Sequence, residues 1–302
     1  MFGFRDVFQY LECDSCGCLQ LVNGPEDLGR YYPPSYATFG RNGTNEPNRV
    51  LVRVREYVRK RRNRSYFEDA SWLDRLLESQ YEYPQLKSFA QIGATRGMAI
   101  LDVGCGSGRL LLDLQKLGYK NLLGVDRYLP ESTNYADGLK VVKAAFEDLA
   151  GAWDVIMFHH AFEHMSDPAN VLRLTADRLA PGGRCLIRIP LVGWAWRHYG
   201  VDWVQLDAPR HLFLYTEKSF RLLAHREGLR VQKVRYDSTG FQFWGSELYR
   251  RDIPLRKLSI RRVKSLLGTG QMKDYERRAL ELNDQGLGDQ AVFYLTRAAD
   301  RG

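Results

Sequence analysis

Three histidines and a glutamate are the residues best suited to acid–base or metal chemistry. The stretch after one apolar run reads HHAFEHM, from His159 to Met165. If the chain turns helically from His160, then His160, Glu163 and His164 lie at positions i, i+3 and i+4, on one face. A histidine oriented by Glu163 could act as a general base, because its unperturbed pKa lies near neutral pH. Alternatively, these residues and His211 could hold a divalent metal, or the cluster could be purely structural.

A glycine-rich segment offers a second site. Residues 101–109 read LDVGCGSGR, with Gly104, Gly106 and Gly108 two residues apart. Glycines at this spacing let the backbone turn tightly and approach a ligand closely. Asp126, at the end of the next apolar run, can accept both hydroxyls of a ribose. Taken alone, the segment also allows a turn that binds nothing, or a nicotinamide or flavin site, although that fingerprint is G-x-G-x-x-G rather than G-x-G-x-G.

Short apolar runs alternate with helical patterns from residue 98 onward. This alternation predicts a parallel sheet with both faces covered, and ligands bind at the carboxyl ends of its strands. The fourth strand lies beside the fifth in such a fold, so His211 can reach the edge where His160 lies. We therefore assign His160, Glu163, His164 and His211 as candidate catalytic residues, and no residue as a metal ligand. The predicted strands are residues 98–103, 121–126, 139–144, 153–158, 184–189, 229–236 and 291–296, and the predicted helices include 108–117, 167–179 and 216–227.

The run DVGCGSG, residues 102–108, resembles the signature of class I S-adenosylmethionine-dependent methyltransferases, and the resemblance covers about residues 95–298. It implies a Rossmann-like α/β fold with a mostly parallel seven-stranded sheet, helices on both faces and an antiparallel last strand. It also implies S-adenosylmethionine as the cofactor. The residues implied to bind it are Asp102, Gly104, Cys105, Gly106, Gly108, Asp126, Phe146, Glu147, Asp148, Phe158 and His159.

The resemblance also gives these residues separate roles. Asp102 and the glycines would lie near the homocysteine moiety, Asp126 at the ribose, and residues 146–148 at the adenine. Phe158 and His159 would lie near the sulfonium. The His–Glu cluster is similar to the metal-binding Glu-His of small-RNA and ubiquinone-pathway O-methyltransferases, which have Glu where His160 stands.

The N-terminal residues contain a C-x-x-C pair, formed by Cys13 and Cys16. A tetrahedral zinc site needs four ligands, so the pair is either half of a zinc ribbon or reduced cysteines in a turn. Together with the run YYPPSY, residues 31–36, the segment resembles the zinc-ribbon module of a bacterial methyltransferase group that is often linked to sugar and surface-polysaccharide modification. That group has a first C-x-x-C upstream, and one hypothesis is that a longer form of this protein carries it.

Charge and composition suggest three segments. Residues 1–48 form a small irregular module, residues 49–94 a basic helical segment, and residues 95–302 the methyltransferase domain, with a helical insertion at 237–290. Residues 49–64 contain seven Arg, one Lys and one Glu, a net charge of +7 out of +8 for the whole chain. This helix is either a solvated face or a site for an anionic membrane or an acidic partner. Nucleic-acid binding is disfavoured, because it needs aromatic side chains on which bases can stack, and Tyr57 is the only aromatic residue among the basic residues of this segment.

The acceptor is less constrained than the cofactor. Residues 190–215 contain Trp194, Trp196 and Trp203 together with the run DAPRH, residues 207–211, which also occurs in the zinc-ribbon group. Aromatic residues at this density suggest either a stacking surface for sugars or a hydrophobic cap over the sheet. We expect methyl transfer to a sugar or glycan-linked hydroxyl; the alternatives are a nucleotide-sugar carbon, a small aromatic or quinone hydroxyl, RNA, or a non-catalytic cofactor-binding subunit.

The compartment is inferred from features that the sequence lacks. There is no apolar run of about 18 residues, as a membrane-spanning helix requires, and no basic-then-apolar leader. The five cysteines are an odd number and do not suggest a disulfide framework. These features predict a cytoplasmic enzyme, with peripheral contact at the inner membrane face as an option.

Overall fold

The computed structural model describes residues 6–25, 28–32, 49–67, 70–76, 83–255 and 258–298. Residues 33–36 of the YYPPSY run lie outside this part. The strands are β1 Gln9–Glu12, β2 Leu19–Val22, β3 Ile100–Val103, β4 Leu122–Val125, β5 Thr133–Asn134, β6 Lys140–Val142, β7 Trp153–His159, β8 Leu179–Pro190, β9 Phe213–Leu214, β10 Leu229–Tyr236 and β11 Gln290–Arg297. The helices are α1 Arg49–Arg64, α2 Trp72–Leu76, α3 Pro84–Ala90, α4 Arg109–Lys116, α5 Pro168–Arg178, α6 Trp194–Tyr199, α7 Glu217–Arg226, α8 Phe241–Arg250, α9 Ile260–Leu267 and α10 Thr269–Asp284.

Among the described residues, no helix combines the length and apolarity needed to cross a bilayer.

Eight strands form one sheet in the order β10-β11-β8-β7-β3-β4-β6-β5. β3 pairs in parallel with both β4 and β7, and β4 pairs in parallel with β6. β11 runs antiparallel to β10, as the resemblance implies for the last strand. The predicted α/β Rossmann-like fold is therefore confirmed. The structure adds β5, a two-residue edge strand antiparallel to β6, which is too short to give an alternation signal in the sequence.

The first residues of the chain are more regular than we expected. β1 and β2 form an antiparallel hairpin, and β2 also pairs with β9, which gives a three-stranded sheet. The turn between β1 and β2 is anchored to α7, since the hydroxyl of Thr216 donates to the Cys16 carbonyl oxygen at 2.7 Å. The same threonine caps the N-terminus of α7. These strands were missed because they are short: β1 and β2 have four residues each, and β9 has two.

The chain separates into two compact units. The first unit contains Met1–Pro33, His160–Arg173 and Ile187–Gly302, and the second contains Pro34–His159 and Leu174–Leu186. These boundaries differ from the segments 1–48, 49–94 and 95–302, which stay a prediction. Within the first unit, the predicted helical insertion contains α8, α9 and α10, whose apolar residues form a core with Trp203, Leu19 and Leu214.

Asp289 is a buried carboxyl group in the first unit. Its Oδ2 accepts a hydrogen bond from the Trp203 indole at 2.9 Å, and its carbonyl oxygen accepts from the Leu191 amide at 2.7 Å. Burial raises the pKa of Asp289 to about 6, although hydrogen bonds from Trp203 and Ser238 oppose the shift. An aspartate in an unfolded chain has a pKa of about 3.9. The folded protein therefore holds a proton on Asp289 that the unfolded chain releases.

The raised pKa predicts a loss of stability as the pH rises. Between about pH 4 and pH 6 the folded state binds more protons than the unfolded state, so the free energy of unfolding falls with pH. Asp289→Asn keeps an acceptor for Trp203 and removes this titration. We expect the free energy of unfolding of the variant, relative to the wild type, to rise by about 1–3 kcal/mol between pH 4 and pH 7.

Urea unfolding across this pH range measures the difference. The matched control is Asp14→Asn, which makes the same change at an exposed carboxyl group in the first unit. A difference between Asp289→Asn and the wild type that is the same at every pH would contradict the assignment.

Candidate functional site

The glycine loop follows β3 in the second unit and takes a conformation that only glycine accepts easily. The φ angles of Gly104, Gly106 and Gly108 are 72°, 53° and 73°, in the left-handed region. A Cβ atom on Gly108 would also lie 2.6 Å from Cγ2 of Val141. Side chains at these positions would strain the loop, so the sequence G-x-G-x-G is explained by backbone geometry.

Asp126 braces this loop from the end of β4. Its Oδ2 accepts from the Gly106 amide at 3.0 Å, and its Oδ1 accepts from the Tyr128 amide at 2.9 Å. Burial raises the pKa of the Asp126 carboxyl, although these two hydrogen bonds lower it. Each carboxylate oxygen has lone pairs left after these bonds, which could accept ribose hydroxyls.

Asp102 lies on β3 directly beside Gly124 of β4. Its side chain is 3% exposed, and its Oδ1 has no hydrogen-bond partner among the described residues. Burial and the nearby charge of Asp126 raise the pKa of Asp102 well above its usual value. A buried carboxyl oxygen without a partner is costly, and a cationic ligand group would relieve the cost. The ammonium group of S-adenosylmethionine has this chemistry, so the loop and Asp102 fit the implied cofactor.

The other residues assigned to the cofactor lie around the same strand ends. Phe158 pairs with Val103 across β7 and β3, and its ring contacts Phe146 edge-on at 5.6 Å. Phe146 is buried, whereas Glu147 and Asp148 beside it are exposed. Arg178 holds this turn by donating to the Phe146 and Glu147 carbonyl oxygens at 2.6 and 3.0 Å. The remaining two residues are His159, the last residue of β7, and Cys105, whose Sγ packs against Gly124.

The predicted catalytic residues come together in the first unit. The side chain of Glu163 is 0% exposed, and its Oε1 lies 3.2 Å from Nδ1 of His160 and 3.9 Å from Nε2 of His211. Glu163, His164 and His211 also present ligand atoms that lie within 4.8 Å of one another. The predicted helical turn is only partly correct: a 3₁₀ turn covers Phe162–His164, while His160 has a φ of 53°. A non-glycine residue in this region is uncommon and is found preferentially at functional sites.

The hydrogen bonds assign the histidine tautomers. Nδ1 of His164 lies 2.7 Å from the Arg210 carbonyl oxygen, and Nδ1 of His211 lies 2.7 Å from the Gln205 carbonyl oxygen. A carbonyl only accepts, so both Nδ1 atoms carry the proton and both Nε2 atoms keep a lone pair. Oε2 of Glu163 is buried and has no hydrogen-bond partner among the described residues. The cluster therefore contains three electron-pair donors suited to a divalent cation or to the proton of an acceptor hydroxyl.

Burial keeps these histidines neutral. Desolvation, together with the charge of the neighbouring arginine or histidine, lowers the pKa of His160 to about 3 and of His164 to about 4. Desolvation also lowers the pKa of His211 to about 4, although Glu163 opposes the shift. At neutral pH the imidazoles of His164 and His211 can accept a proton or bind a metal through Nε2.

The residues that hold His160 were not predicted from the sequence. Arg188 donates to Nε2 of His160, and its Nε donates to Asp237 at 2.8 Å. The Nδ1 proton of His160 therefore points to Glu163. Arg188 is only 4% exposed, and a charged residue within the apolar run LIRI of β8 was a usable signal for it.

Tyr32 was also missed as a neighbour of the cluster. Its hydroxyl lies 3.1 Å from Nδ1 of His164, and the Arg210 guanidinium lies over its ring, with the Cζ atom 5.6 Å from the centroid. From β1, the Tyr10 hydroxyl donates to the His211 carbonyl oxygen at 2.7 Å. The N-terminal residues thus contact two residues of the cluster, His164 through its side chain and His211 through its backbone.

The aromatic residues of 190–215 serve mainly as core. Trp203 is fully buried, while Trp194 and Trp196 are half-buried against the core of α8–α10. Trp194 stacks on His198 at 4.5 Å, and His198 is exposed. The alternative of a hydrophobic cap therefore describes Trp203 best.

The comparisons with known proteins place the chain among methyltransferases. The sequence model of the methyltransferase domain family matches residues 70–234, more than half of the chain. The chain is 29% identical over 130 residues to the ubiquinone biosynthesis O-methyltransferase of Psychrobacter cryohalolentis, covering 39% of this chain and 50% of that protein. It is 36% identical over 99 residues to the protein of the same name from Nitrosococcus oceani, covering 29% of this chain and 42% of that protein. The chain thus spans about half the length, or less, of these curated relatives.

A solved structure has a similar fold. A methyltransferase of Haloferax volcanii, determined in complex with the Trm112 methyltransferase activator, superposes with a TM-score of 0.50 at 19% identity, covering 71% of this chain and 88% of that one. At this identity the likeness concerns the fold alone. Together with the family match and the glycine loop, it leads to one conclusion: the chain belongs to the methyltransferase domain family and contains the S-adenosylmethionine-dependent methyltransferase domain.

Proposed function

We propose that the protein transfers the methyl group of S-adenosylmethionine to a hydroxyl oxygen of a small aromatic acceptor. The observation that carries the proposal is the cluster of Glu163, His164 and His211, with two unprotonated Nε2 atoms and a buried carboxylate oxygen. The hydroxyl oxygen attacks the methyl carbon in line, the carbon–sulfur bond breaks, and the hydroxyl proton leaves. Aligning the two reactants supplies a large part of the rate enhancement, and the cluster provides for the proton.

Two chemistries are compatible with the cluster. In the first, a neutral imidazole of His164 or His211 takes the hydroxyl proton through Nε2, while Glu163 stabilises the imidazolium that forms. In the second, Glu163, His164 and His211 hold a divalent cation, which would lower the pKa of a bound hydroxyl. The backbone carbonyls that fix both Nδ1–H groups are typical outer partners of metal-binding histidines, and they favour the second chemistry.

The aromatic acceptor replaces the sugar hydroxyl as the leading candidate. It is supported by the names of the relatives, which are ubiquinone biosynthesis O-methyltransferases, and by the burial of Trp203, which leaves fewer rings for stacking on a sugar. A sugar or glycan-linked hydroxyl is the second candidate, because the N-terminal and DAPRH motifs resemble the group linked to sugar modification.

Two further proposals concern the N-terminal cysteines and the basic helix. Backbone N–H groups of Ser15 and Cys16 lower the pKa of the exposed Cys13 thiol, a property of thiolates that bind metals. We propose that Cys13 and Cys16 bind zinc in a form that carries a second pair, which metal analysis of an N-terminally extended protein would detect.

Peripheral contact of residues 49–64 with an anionic membrane is proposed as well. Three large side chains that could contact the membrane are exposed on α1, namely Val54, Tyr57 and Val58.

Asp126→Ala is expected to weaken cofactor binding. The change removes the ribose acceptor and also the brace of the Gly106 amide, and hydrogen bonds to charged groups contribute about 1.5–3 kcal/mol. We expect the Kd for S-adenosylmethionine, measured by calorimetry, to rise by about tenfold or more. The control is Asp177→Ala, an exposed carboxylate of α5 in the same unit. An unchanged Kd in Asp126→Ala would count against the ribose assignment.

His211→Ala and His164→Ala are each expected to lower turnover by at least about tenfold. Neither residue is assigned to the cofactor, so the Kd for S-adenosylmethionine should stay within a few-fold. The matched control is His225→Ala, at an exposed position of α7.

A chelator distinguishes the two chemistries in the wild type. Loss of activity with the chelator, restored by adding a divalent metal, would select the metal-assisted chemistry. Activity that the chelator leaves unchanged would select the general base. Full activity of both variants excludes a catalytic role for the cluster.

Labelled S-adenosylmethionine distinguishes the acceptors. A phenolic hydroxyl has a pKa near 10, as in tyrosine, and is deprotonated more easily than a sugar hydroxyl. We expect label to enter a catechol as a base-stable ether, and nucleotide sugars to remain unlabelled. Label in the sugars alone would overturn the aromatic assignment, while a cofactor-dependent thermal shift without any product would point to the non-catalytic subunit.

A further inference from the structure

A pocket of about 320 Å³ lies between the C-terminal half of α1 and the end of α4 in the second unit. Four cationic side chains line it, and its described lining residues include no carboxylate. These four are Lys60, Arg64, Arg96 and Lys116. Lys60 and Arg64 are four residues apart on α1, so they lie on the same face of the helix. The concentration of positive charge around one cavity points to an anionic ligand.

The floor of the pocket is apolar and well packed. Phe67 and Tyr119 line it, with ring centroids 6.1 Å apart, and the ring of Phe89 packs edge-on against Tyr119 at 5.2 Å. The Tyr119 hydroxyl donates to the Ala94 carbonyl oxygen at 3.1 Å. The cations are therefore arranged around a fixed surface rather than spread over a mobile one.

One of the four cations is held in place by the backbone. Nε of Arg96 donates to the Leu117 carbonyl oxygen at 3.0 Å. Its stem fills the space over Gly118, where a Cβ atom would lie 3.1 Å from Cδ of Arg96. An arginine whose planar group is oriented beforehand loses less freedom when it binds a phosphate.

Two carboxylates of the described residues form ion pairs with cations of the pocket. Glu56 contacts Lys116 at 3.0 Å, but both side chains are about half exposed, so the ion pair is weak. Asp74 contacts Arg64 at 3.7 Å and Arg61 at 2.6 Å, so its shorter ion pair is with a residue outside the pocket. Lys60 and Arg96 line the pocket as well.

Large apolar side chains are exposed on α1 and on α2. Tyr57 of α1 is 60% exposed, and Trp72 and Leu76 of α2 are each 72% exposed. Arg61 connects the helices, since it lies over the Tyr57 ring and contacts Asp74. Aromatic and leucine side chains beside basic residues are typical of surfaces that lie on anionic membranes.

We propose that this pocket binds a phosphate group, and that the exposed apolar residues around it favour the headgroup of an anionic phospholipid as the source. Arginine and lysine bind phosphate through charge-assisted hydrogen bonds. The site is separate from the methyl-transfer reaction proposed above, and binding is measured without turnover. A failure here would leave the proposed reaction untouched.

The test compares a lipid source with a soluble source. The full chain is mixed with phosphatidylcholine vesicles that contain or lack phosphatidylglycerol, and separately with inorganic phosphate in a thermal-shift assay. We expect binding to the vesicles with phosphatidylglycerol, and the double substitution Lys60→Ser/Lys116→Ser should weaken it by about tenfold or more. Trp72→Ser/Leu76→Ser should weaken binding to vesicles and leave any shift with inorganic phosphate unchanged.

The matched control is Lys264→Ser/Lys273→Ser, which removes the same charge from exposed positions of α9 and α10. A wild-type shift with inorganic phosphate that is lost in Lys60→Ser/Lys116→Ser, without vesicle binding, would keep the phosphate site and assign it to a soluble ligand. Equal binding by the pocket variant and the lysine control in both assays, or no binding by the wild type in either, would overturn the proposal.

Discussion

The burial of the Glu163 carboxylate is the constraint on which the rest of the cluster depends. A charge with no exposed surface is tolerated only when other groups compensate it. Here His160 donates to one carboxylate oxygen, Arg188 fixes His160, and Asp237 fixes Arg188. Each member of this chain is positioned by the next, and the chain links the segment after β7 to β8 and to the end of β10. The second carboxylate oxygen is buried without a hydrogen-bond partner among the described residues.

The same constraint explains the conformation of the neighbouring backbone. The amide of Leu212 donates to the Glu163 carbonyl oxygen at 2.9 Å, which joins the 3₁₀ turn to the DAPRH segment. That segment supplies both Arg210, whose carbonyl fixes His164, and His211 itself. The left-handed φ of His160 has a cost of order 1–3 kcal/mol, and the surrounding hydrogen bonds offset it. The DAPRH motif therefore orients side chains as well as contributing one.

Periodicity in the sequence predicted the regular elements, whereas contacts that depend on tertiary pairing were missed. β10 was predicted with the observed bounds, because Leu229–Tyr236 is bounded by a glycine and alternates in character. β8 begins at Leu179 rather than at 184, because its Pro-Gly-Gly stretch is read locally as a break. The glycine loop was accessible because backbone geometry restricts those positions to glycine. The role of Tyr32 was not accessible, because it arises from a contact with His164, 132 positions away.

The three-stranded sheet of β1, β2 and β9 has a consequence for how the chain is made. A two-stranded hairpin is at best marginally stable alone in water, and β9 lies about 190 residues after β2. During synthesis, Leu19 and its neighbours therefore have no third strand to pair with until the ribosome has added the whole stretch up to β9. Contacts over such sequence separations form slowly. The hairpin of β1 and β2 therefore gains its third strand only after β3 to β8 have been translated, although it is itself translated before every strand of the larger sheet.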